Sequence, residues 1–173
     1  MPEPILYQEH LSSTRTEALP QVLLTLAPLA AFAGRVQVAG PDGWSIALLL
    51  AAALFLFYSL NYRTLAIRIG PESLRLRFGL FEWAIPLENI ETCAPDTLTL
   101  WRIGGAGIHF TPVAGRYRAM FSFLEHPRLV LALRRKKGPV RDIAFSTRRP
   151  AEVLAILQPL LSSHSAPSGP STA

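Results

Sequence analysis

The hydrophobic positions of this chain change from continuous runs near its start to regular alternation further along. Residues 44–62, WSIALLLAAALFLFYSLNY, contain no charged side chain over nineteen positions. A helix of that length rises about 28 Å, which matches the hydrocarbon core of a bilayer. The segment has no polar face at helical spacing, as a helix packed on the core of a soluble protein would. It therefore predicts a transmembrane helix, with Trp44 and Tyr62 as interfacial anchors.

An earlier apolar run over residues 18–39 predicts a second membrane helix. Pro28 lies near its middle, where proline bends a helix, and Arg35 can extend its charged group towards the membrane surface. Two other interpretations of this run stay open: a surface or re-entrant helix, and a secretory signal peptide cleaved near residues 31–33. The net acidic residues that precede the run argue against a signal peptide, which requires a basic start.

The connector between the two runs is short. It reads RVQVAGPDG at residues 35–43 and predicts an antiparallel helical hairpin. Arg35 is the one basic residue of the connector, whereas Arg15 and Arg63 flank the outer ends of the hairpin. Basic residues accumulate on the cytoplasmic side of membrane proteins, so both chain termini are expected in the cytoplasm.

From residue 64 onward apolar and polar side chains alternate with a period of two, which is typical of strands with one buried face. The stretch LAIRIGPESLRLRF at residues 65–78 predicts two such strands joined by a Gly-Pro-Glu turn. After residue 150 the period becomes helical, and residues 162–173, rich in Ser, Pro and Ala, are predicted to be disordered. Further strands are predicted at residues 81–86, 89–94, 116–123, 129–134 and 140–146.

Seven antiparallel strands followed by one helix fit a small barrel that the helix closes at one end. The predicted fold class is α+β with a membrane anchor: a transmembrane α-helical hairpin followed by a seven-stranded antiparallel barrel, capped by a C-terminal helix. The predicted parts are an N-terminal cytoplasmic segment (1–17), the hairpin (18–62, with helices at about 18–39 and 44–62), the barrel domain (63–161) and the disordered tail (162–173).

Composition agrees with a membrane protein that carries a basic domain. Half of the 173 residues are hydrophobic, 17% are charged, and the formal net charge is +5. Residues 63–162 hold fifteen basic and eight acidic side chains, a net charge of +7, whereas residues 1–19 have a net charge of −2. A basic domain beside an apolar segment favours anionic membrane lipids over nucleic acid as a partner.

No arrangement of residues in the sequence indicates catalysis. Cys93 is the one cysteine, which excludes an internal disulfide, and the four histidines are not at metal-ligand spacing. The glycine-rich stretch at residues 104–107 lacks the Gly-Lys-Ser/Thr of a phosphate-binding loop. We therefore expect no enzymatic activity, no cofactor and no small-molecule substrate.

Two groups of basic residues are the candidates for a binding site. Each has two interpretations: the solvent-exposed side of a strand or hairpin, or a contact with anionic lipid or with a protein partner. Near an anionic bilayer each basic side chain adds about 1 kcal/mol of attraction. Nucleic acid is not expected, because aromatic residues are not interleaved with the basic ones at the second group. The first group is Arg68, Arg75 and Arg77 on the first hairpin, and the second is Arg134, Arg135, Lys136 and Lys137 at a predicted hairpin tip, with Arg141 just beyond.

Three stretches, taken in order, resemble the bacterial pleckstrin-homology (PH-like) family. They are residues 62–91, which include IRIGPESLRLRFGLFEWAIPLENIE, the Trp-Arg-x-Gly-Gly motif at 101–105, and residues 115–157, where a strand leads into a Pro-x-Glu helix start. Such domains often follow a pair of transmembrane helices, and the resemblance implies a non-catalytic binding module. Phosphoinositide recognition is not expected, because the Gly-Pro-Glu turn is short and Glu72 puts a carboxylate where a phosphate would bind.

The resemblance and the hydrophobic pattern together predict a multi-pass protein of the bacterial inner (cytoplasmic) membrane. The first hypothesis is an adaptor or scaffold that binds a membrane-protein partner, or its own copies, at the cytoplasmic face. The alternative is a domain that binds or senses anionic membrane lipids through its basic hairpins. A third hypothesis is a component of an enzyme or transporter with an unrecognised site, although two helices form no transport path without oligomers.

Overall fold

The computed structural model of this chain describes residues 4–12, 15–99, 102 and 105–165. The chain forms two compact units. The helical unit is Ser12–Thr64, and the two-sheet unit combines the described residues before Ser12 with those from Leu65 onward. The helical unit is thus an insertion in the sequence of the two-sheet unit.

Helix α1, Arg15–Ala39, and helix α2, Gly43–Asn61, make up the helical unit. Asp42 caps α2, because its carboxylate accepts a hydrogen bond from the Ser45 amide at 2.9 Å. The Arg35 guanidinium donates to the same carboxylate, and this bond, followed by those from Ser45, lowers the pKa of Asp42. The polar groups of the connector therefore satisfy one another within the turn.

Both helices are long and apolar enough to cross a membrane, and the candidate spans are Leu19–Ala39 and Gly43–Asn61. Their apolar side chains are exposed. In the most apolar stretch of each helix, none of the residues is buried in α1 and 11% are buried in α2. The core helix of a soluble protein buries its apolar face, so this exposure is compatible with membrane association. The predicted helices at 18–39 and 44–62 are confirmed as helices, and the bilayer around them stays a prediction.

The first sheet consists of β1 (Tyr7–Ser12), β2 (Thr64–Ile69), β3 (Ser73–Phe78) and β4 (Phe81–Pro86), which lie side by side in this order. Strands β2 and β3 pair antiparallel, with Leu65 opposite Phe78. The alternation predicted for this hairpin is confirmed, because its apolar side chains are buried on one face and its arginines are exposed on the other.

The second sheet follows a short 3-10 helix at Leu87–Asn89. It contains β5 (Ile90–Pro95), β6 (Gly107–Val113), β7 (Arg116–Ser122), β8 (Arg128–Lys137) and β9 (Val140–Ser146). The order is β5-β8-β9-β7-β6, and β9 runs antiparallel to β8 but parallel to β7. The segment after β5 therefore has to pass from one edge of the sheet to the other before β6 begins.

The predicted single barrel of seven antiparallel strands is wrong. The described residues form nine strands in two sheets, and one strand pair is parallel. Alternation identifies strands but does not specify their neighbours, because pairing joins residues far apart in the chain. The sequence pattern also missed β1, which lies in the segment 1–17, and β6, whose Pro112 is tolerated because β6 is an edge strand.

Aromatic rings join the inner faces of the two sheets. The ring centroid of Phe78 on β3 lies 5.2 Å from that of Phe123 and 6.4 Å from that of Phe121. Trp83 on β4 meets Phe121 edge to face at 5.8 Å. Such offset and perpendicular arrangements contribute beyond the area that they bury. This aromatic contact is the centre of the core between the sheets.

Helix α3, Pro150–Ser165, is the predicted C-terminal helix. Its apolar residues Val153, Leu157 and Leu161 are buried, and the helix lies against β5 and the 3-10 helix. It continues into the predicted tail 162–173 as far as Ser165, and residues 166–173 lie outside the described residues.

Glu9 on β1 ties the N-terminal strand to the start of α3. Its carboxylate accepts hydrogen bonds from the Thr147 hydroxyl at 2.6 Å and from the Arg148 amide at 2.9 Å. The Tyr7 hydroxyl donates to the same carboxylate at 2.9 Å. Burial, and next this hydrogen bond, raise the pKa of Tyr7 to about 12. A carboxylate at a helix N-terminus is also favoured by the helix dipole.

Replacing Glu9 by Gln should lower the free energy of unfolding of the two-sheet unit by about 2 kcal/mol, since hydrogen bonds to a charged group contribute ~1.5–3 kcal/mol. The measurement is urea unfolding of the full-length chain in a mild detergent, followed by circular dichroism. Gln8→Ala is the matched control, because Gln8 is exposed on the same strand. Equal losses in both variants would mean that Glu9 does not secure β1 to α3.

Candidate functional site

Three arginines lie on the outer face of the first sheet, which we call the arginine face. Arg68 is on β2, and Arg75 and Arg77 are on β3; all three are exposed. Arg68 stands directly opposite Arg75 in the antiparallel register. Like charges at directly opposite positions repel and destabilise a sheet. The register therefore brings two of the predicted site residues together at an energetic cost.

Two residues of the same sheet region contact the arginine face. Glu82 on β4 lies 3.6 Å from Arg75, and both side chains are more than two-fifths exposed. Arg77 donates through Nε to the Gly79 carbonyl at 2.8 Å, which is an uncharged acceptor. Within the described part of the chain, Arg68 has no ion pair. Exposed pairs such as Arg75–Glu82 contribute little to stability.

A cavity of about 250 Å³ opens beside the Arg68–Arg75 pair. Its lining also includes Ser73 on β3 and, from the residues before β1, Pro4 and Ile5. Guanidinium groups and a serine hydroxyl are donors that suit a carboxylate or phosphate oxygen. The chemistry that this arrangement supports is the binding of an anionic group, and the described lining offers no nucleophile paired with a base.

The two ends of the first sheet differ in how they join the rest of the chain. Only two residues separate the last residue of α2 from the first residue of β2, so we call this end of the sheet the near end. Along β2, Arg68 lies roughly 13 Å from Thr64, because a strand rises ~3.3 Å per residue. The Arg68–Arg75 pair thus lies towards the opposite, far end, whereas Arg77 lies at the near end, beside Gly79.

The second group of predicted site residues is not a hairpin tip. Residues 134–137 belong to β8, and the turn consists of residues 138–139. The register between β8 and β9 shifts between Ala132 and Lys137, which marks an irregularity in the strand. The side chains of Lys136 and Lys137 lie outside the described residues. The alternation pattern predicted this strand only as far as residue 134, because four basic residues in succession hide its two faces.

Arg134 and Arg135 are held against neighbouring backbone. Arg134 donates through Nε to a backbone carbonyl of β5 at 3.4 Å. The Asn89 side chain accepts from the Arg135 amide at 2.8 Å and donates to its carbonyl at 3.3 Å. The same 3-10 helix is bonded to the β2–β3 turn, where the Leu87 amide donates to the Glu72 carbonyl at 2.9 Å. Arg134 and Arg135 therefore lie near the far end of the first sheet.

Arg141 shares a second cavity with residues that sequence reasoning missed. This cavity, of about 370 Å³, is lined by Arg141 together with Arg116, Tyr117 and the turn residues Gly115 and Pro139. The parallel pairing of β7 with β9 brings the two hairpins together, and a parallel pair between distant strands leaves no local signal. The one available hint was the Gly-Arg-Tyr-Arg run that starts at residue 115.

Four charged side chains form a buried network that sequence reasoning also missed. Asp96, which follows β5, lies 3.0 Å from Arg118 and 3.1 Å from Arg128. Asp142 lies 3.5 Å from Arg118, and Arg128 also donates to the Leu98 carbonyl. The network pairs two arginines with two aspartates and is nearly inaccessible to water. Its role is structural, because it secures the segment after β5 against the second sheet.

No group of three or more potential metal ligands occurs among the described residues. Burial raises the pKa of the Cys93 thiol to about 12, so at neutral pH it is a poor nucleophile. The residues Trp101 and Gly104 of the PH-like motif lie outside the described residues.

No protein-family profile matches this chain, and no curated protein matches it. The resemblance to the bacterial PH-like family therefore stays a prediction.

Replacing Asp96 by Asn should lower the free energy of unfolding by about 3 kcal/mol or more, because it leaves two buried arginines without their shared counter-charge. The control is Glu82→Gln, which removes one carboxylate charge from an exposed pair and should cost at most about 1 kcal/mol. Urea unfolding of both full-length variants in detergent measures the difference. Similar losses would mean that the network is not the main restraint on this segment.

Replacing Arg68 by Gln should leave stability unchanged or raise it by up to about 0.5 kcal/mol, because the change removes a cross-strand repulsion. The same unfolding assay measures the effect, and a weaker dependence of stability on salt should accompany it. A clear loss of stability would show instead that Arg68 makes a favourable structural contact.

Proposed function

We propose that this protein is a non-catalytic, membrane-anchored adaptor that binds an acidic segment of a membrane-protein partner at the cytoplasmic face of a bacterial inner membrane. The observation that carries the proposal is the Arg68–Arg75 pair on the arginine face. Two like charges in register lower the stability of the sheet. Carboxylates of a partner would relieve that repulsion and occupy the cavity beside the pair.

The order of elements supports an arrangement with both chain ends on one side of the bilayer. Strands β1 and β2 are neighbours in one sheet, and α1 and α2 lie between them in sequence. A chain that crosses a bilayer twice between two paired strands must return to the side from which it started. Arg15 and Arg63 flank the outer ends of the hairpin and favour the cytoplasm for that side.

Anionic lipid is the second candidate for the same arginines. Arg68 lies roughly 13 Å along β2 from the residue at which the strand begins. Arg134 and Arg135 also lie near the far end of the sheet. Of the candidate residues on the first hairpin, only Arg77 lies at the near end, which α2 joins.

The test is purification of the tagged full-length chain from its native cell in mild detergent, with mass spectrometry and native mass determination. We expect a stoichiometric membrane-protein companion. Arg68→Gln/Arg75→Gln should reduce its recovery by roughly tenfold or more, because each charge-assisted hydrogen bond contributes ~1.5–3 kcal/mol. Arg148→Gln/Arg149→Gln is the matched control, since it removes the same charge from exposed positions on another surface.

Each outcome of this experiment has a defined meaning. Full recovery of the companion with the Arg68/Arg75 variant would contradict the arginine face as the binding surface. A homo-oligomer that dissociates in the same variant would make the partner a second copy of this chain. A monomer that carries only anionic lipid would overturn the adaptor and support the lipid-binding alternative.

A further inference from the structure

The turn between β3 and β4 presents apolar side chains to solvent. It consists of Gly79 and Leu80, and Phe81 follows as the first residue of β4. Leu80 is 74% exposed and Phe81 is 47% exposed. Gly79 has a φ of 53°, a left-handed conformation that favours glycine and makes the turn tight. Two large apolar side chains therefore stand next to each other at the tip of a hairpin.

This tip lies at the near end of the first sheet. Phe78, just before the turn, is the cross-strand partner of Leu65, the second residue of β2. Strand β2 leads away from the point where α2 joins it, and β3 returns to that point. Because two residues alone link α2 to β2, a bilayer that holds α2 has its surface close to this end of the sheet.

The two-sheet unit has an arginine beside the tip, and the helical unit has two tyrosines at the end of α2; both residue types are common at membrane interfaces. Arg77 donates to the Gly79 carbonyl, which holds its guanidinium beside the apolar tip. At the end of α2, the rings of Tyr58 and Tyr62 stack with centroids 4.1 Å apart. Tyrosines are enriched at the level of lipid headgroups, and arginine pairs with lipid phosphate there. The apolar tip and its flanking arginine thus have the composition of an interfacial contact.

We propose that Leu80 and Phe81 insert into the interfacial layer of the bilayer, with Arg77 bound to lipid phosphate. This contact rests on the membrane anchoring proposed above, and it adds a third attachment to the two helices.

The experiment places one environment-sensitive fluorophore, NBD, on single cysteines of the full-length chain in the Cys93→Ala background. The labelled positions are Leu80→Cys at the tip, Glu72→Cys at the turn of the far end, and Leu50→Cys in α2. The variants are reconstituted into vesicles of phosphatidylcholine and phosphatidylglycerol. Emission is recorded with aqueous iodide as one quencher and with brominated acyl chains as the other. Circular dichroism checks that each variant keeps the fold, and Leu80 and Glu72 are exposed, so the core is not altered.

We expect the Leu80 label to emit at shorter wavelength than the Glu72 label, to resist iodide and to be quenched by brominated lipid. A Leu80 label as accessible to iodide as the Glu72 label would overturn the inference. Protection from iodide without quenching by brominated lipid would also overturn it, because protein would then cover the tip. If the Leu50 label too escapes brominated lipid, the membrane anchoring itself fails, which separates the two proposals.

Discussion

The pairing of β1 with β2 is the constraint on which the rest of this structure depends. The whole helical unit separates these strands in the chain, yet they lie side by side in one sheet. Closing so long a loop costs chain entropy, although that cost rises only slowly with length. Burial of Tyr7 and Leu11 and the hydrogen bonds of Glu9 to the start of α3 offset it. Since both ends of the helical unit return to one sheet, that sheet has a near end and a far end.

Charged side chains occur in two settings: a buried network beside the second sheet and exposed positions on the first sheet. Asp96 bridges two arginines inside the second sheet, where an unpaired charge would be strongly destabilising. On the first sheet, Arg68 and Arg75 stand opposite each other on an exposed face, and Glu82 lies 3.6 Å from Arg75. A neutral side chain at either position would relieve the repulsion between these two charges.

Sequence patterns were reliable where the physical cause is local. The helices predicted at 18–39 and 44–62 are present because a helix satisfies its backbone hydrogen bonds within one continuous segment. The hairpin at residues 65–78 is present because alternation sorts its side chains onto two faces. The predicted barrel failed because strand order is not local. The parallel pairing of β7 with β9 depends on contacts with β8, and β1 belongs to the sheet only because β2 returns to it after the helical unit.

The sequence by itself determined the two apolar helices, the alternating faces of the first hairpin and the excess of basic residues after residue 62. Composition and periodicity express these features directly, since each depends on neighbours within a turn of helix or two strand positions. Only the tertiary structure decided which charges meet. It put Arg116 beside Arg141, it buried Asp96 between two arginines, and it separated Arg77 from the Arg68–Arg75 pair along the strand. Those outcomes follow from strand order and register, which are properties of the packed sheets and not of any one segment.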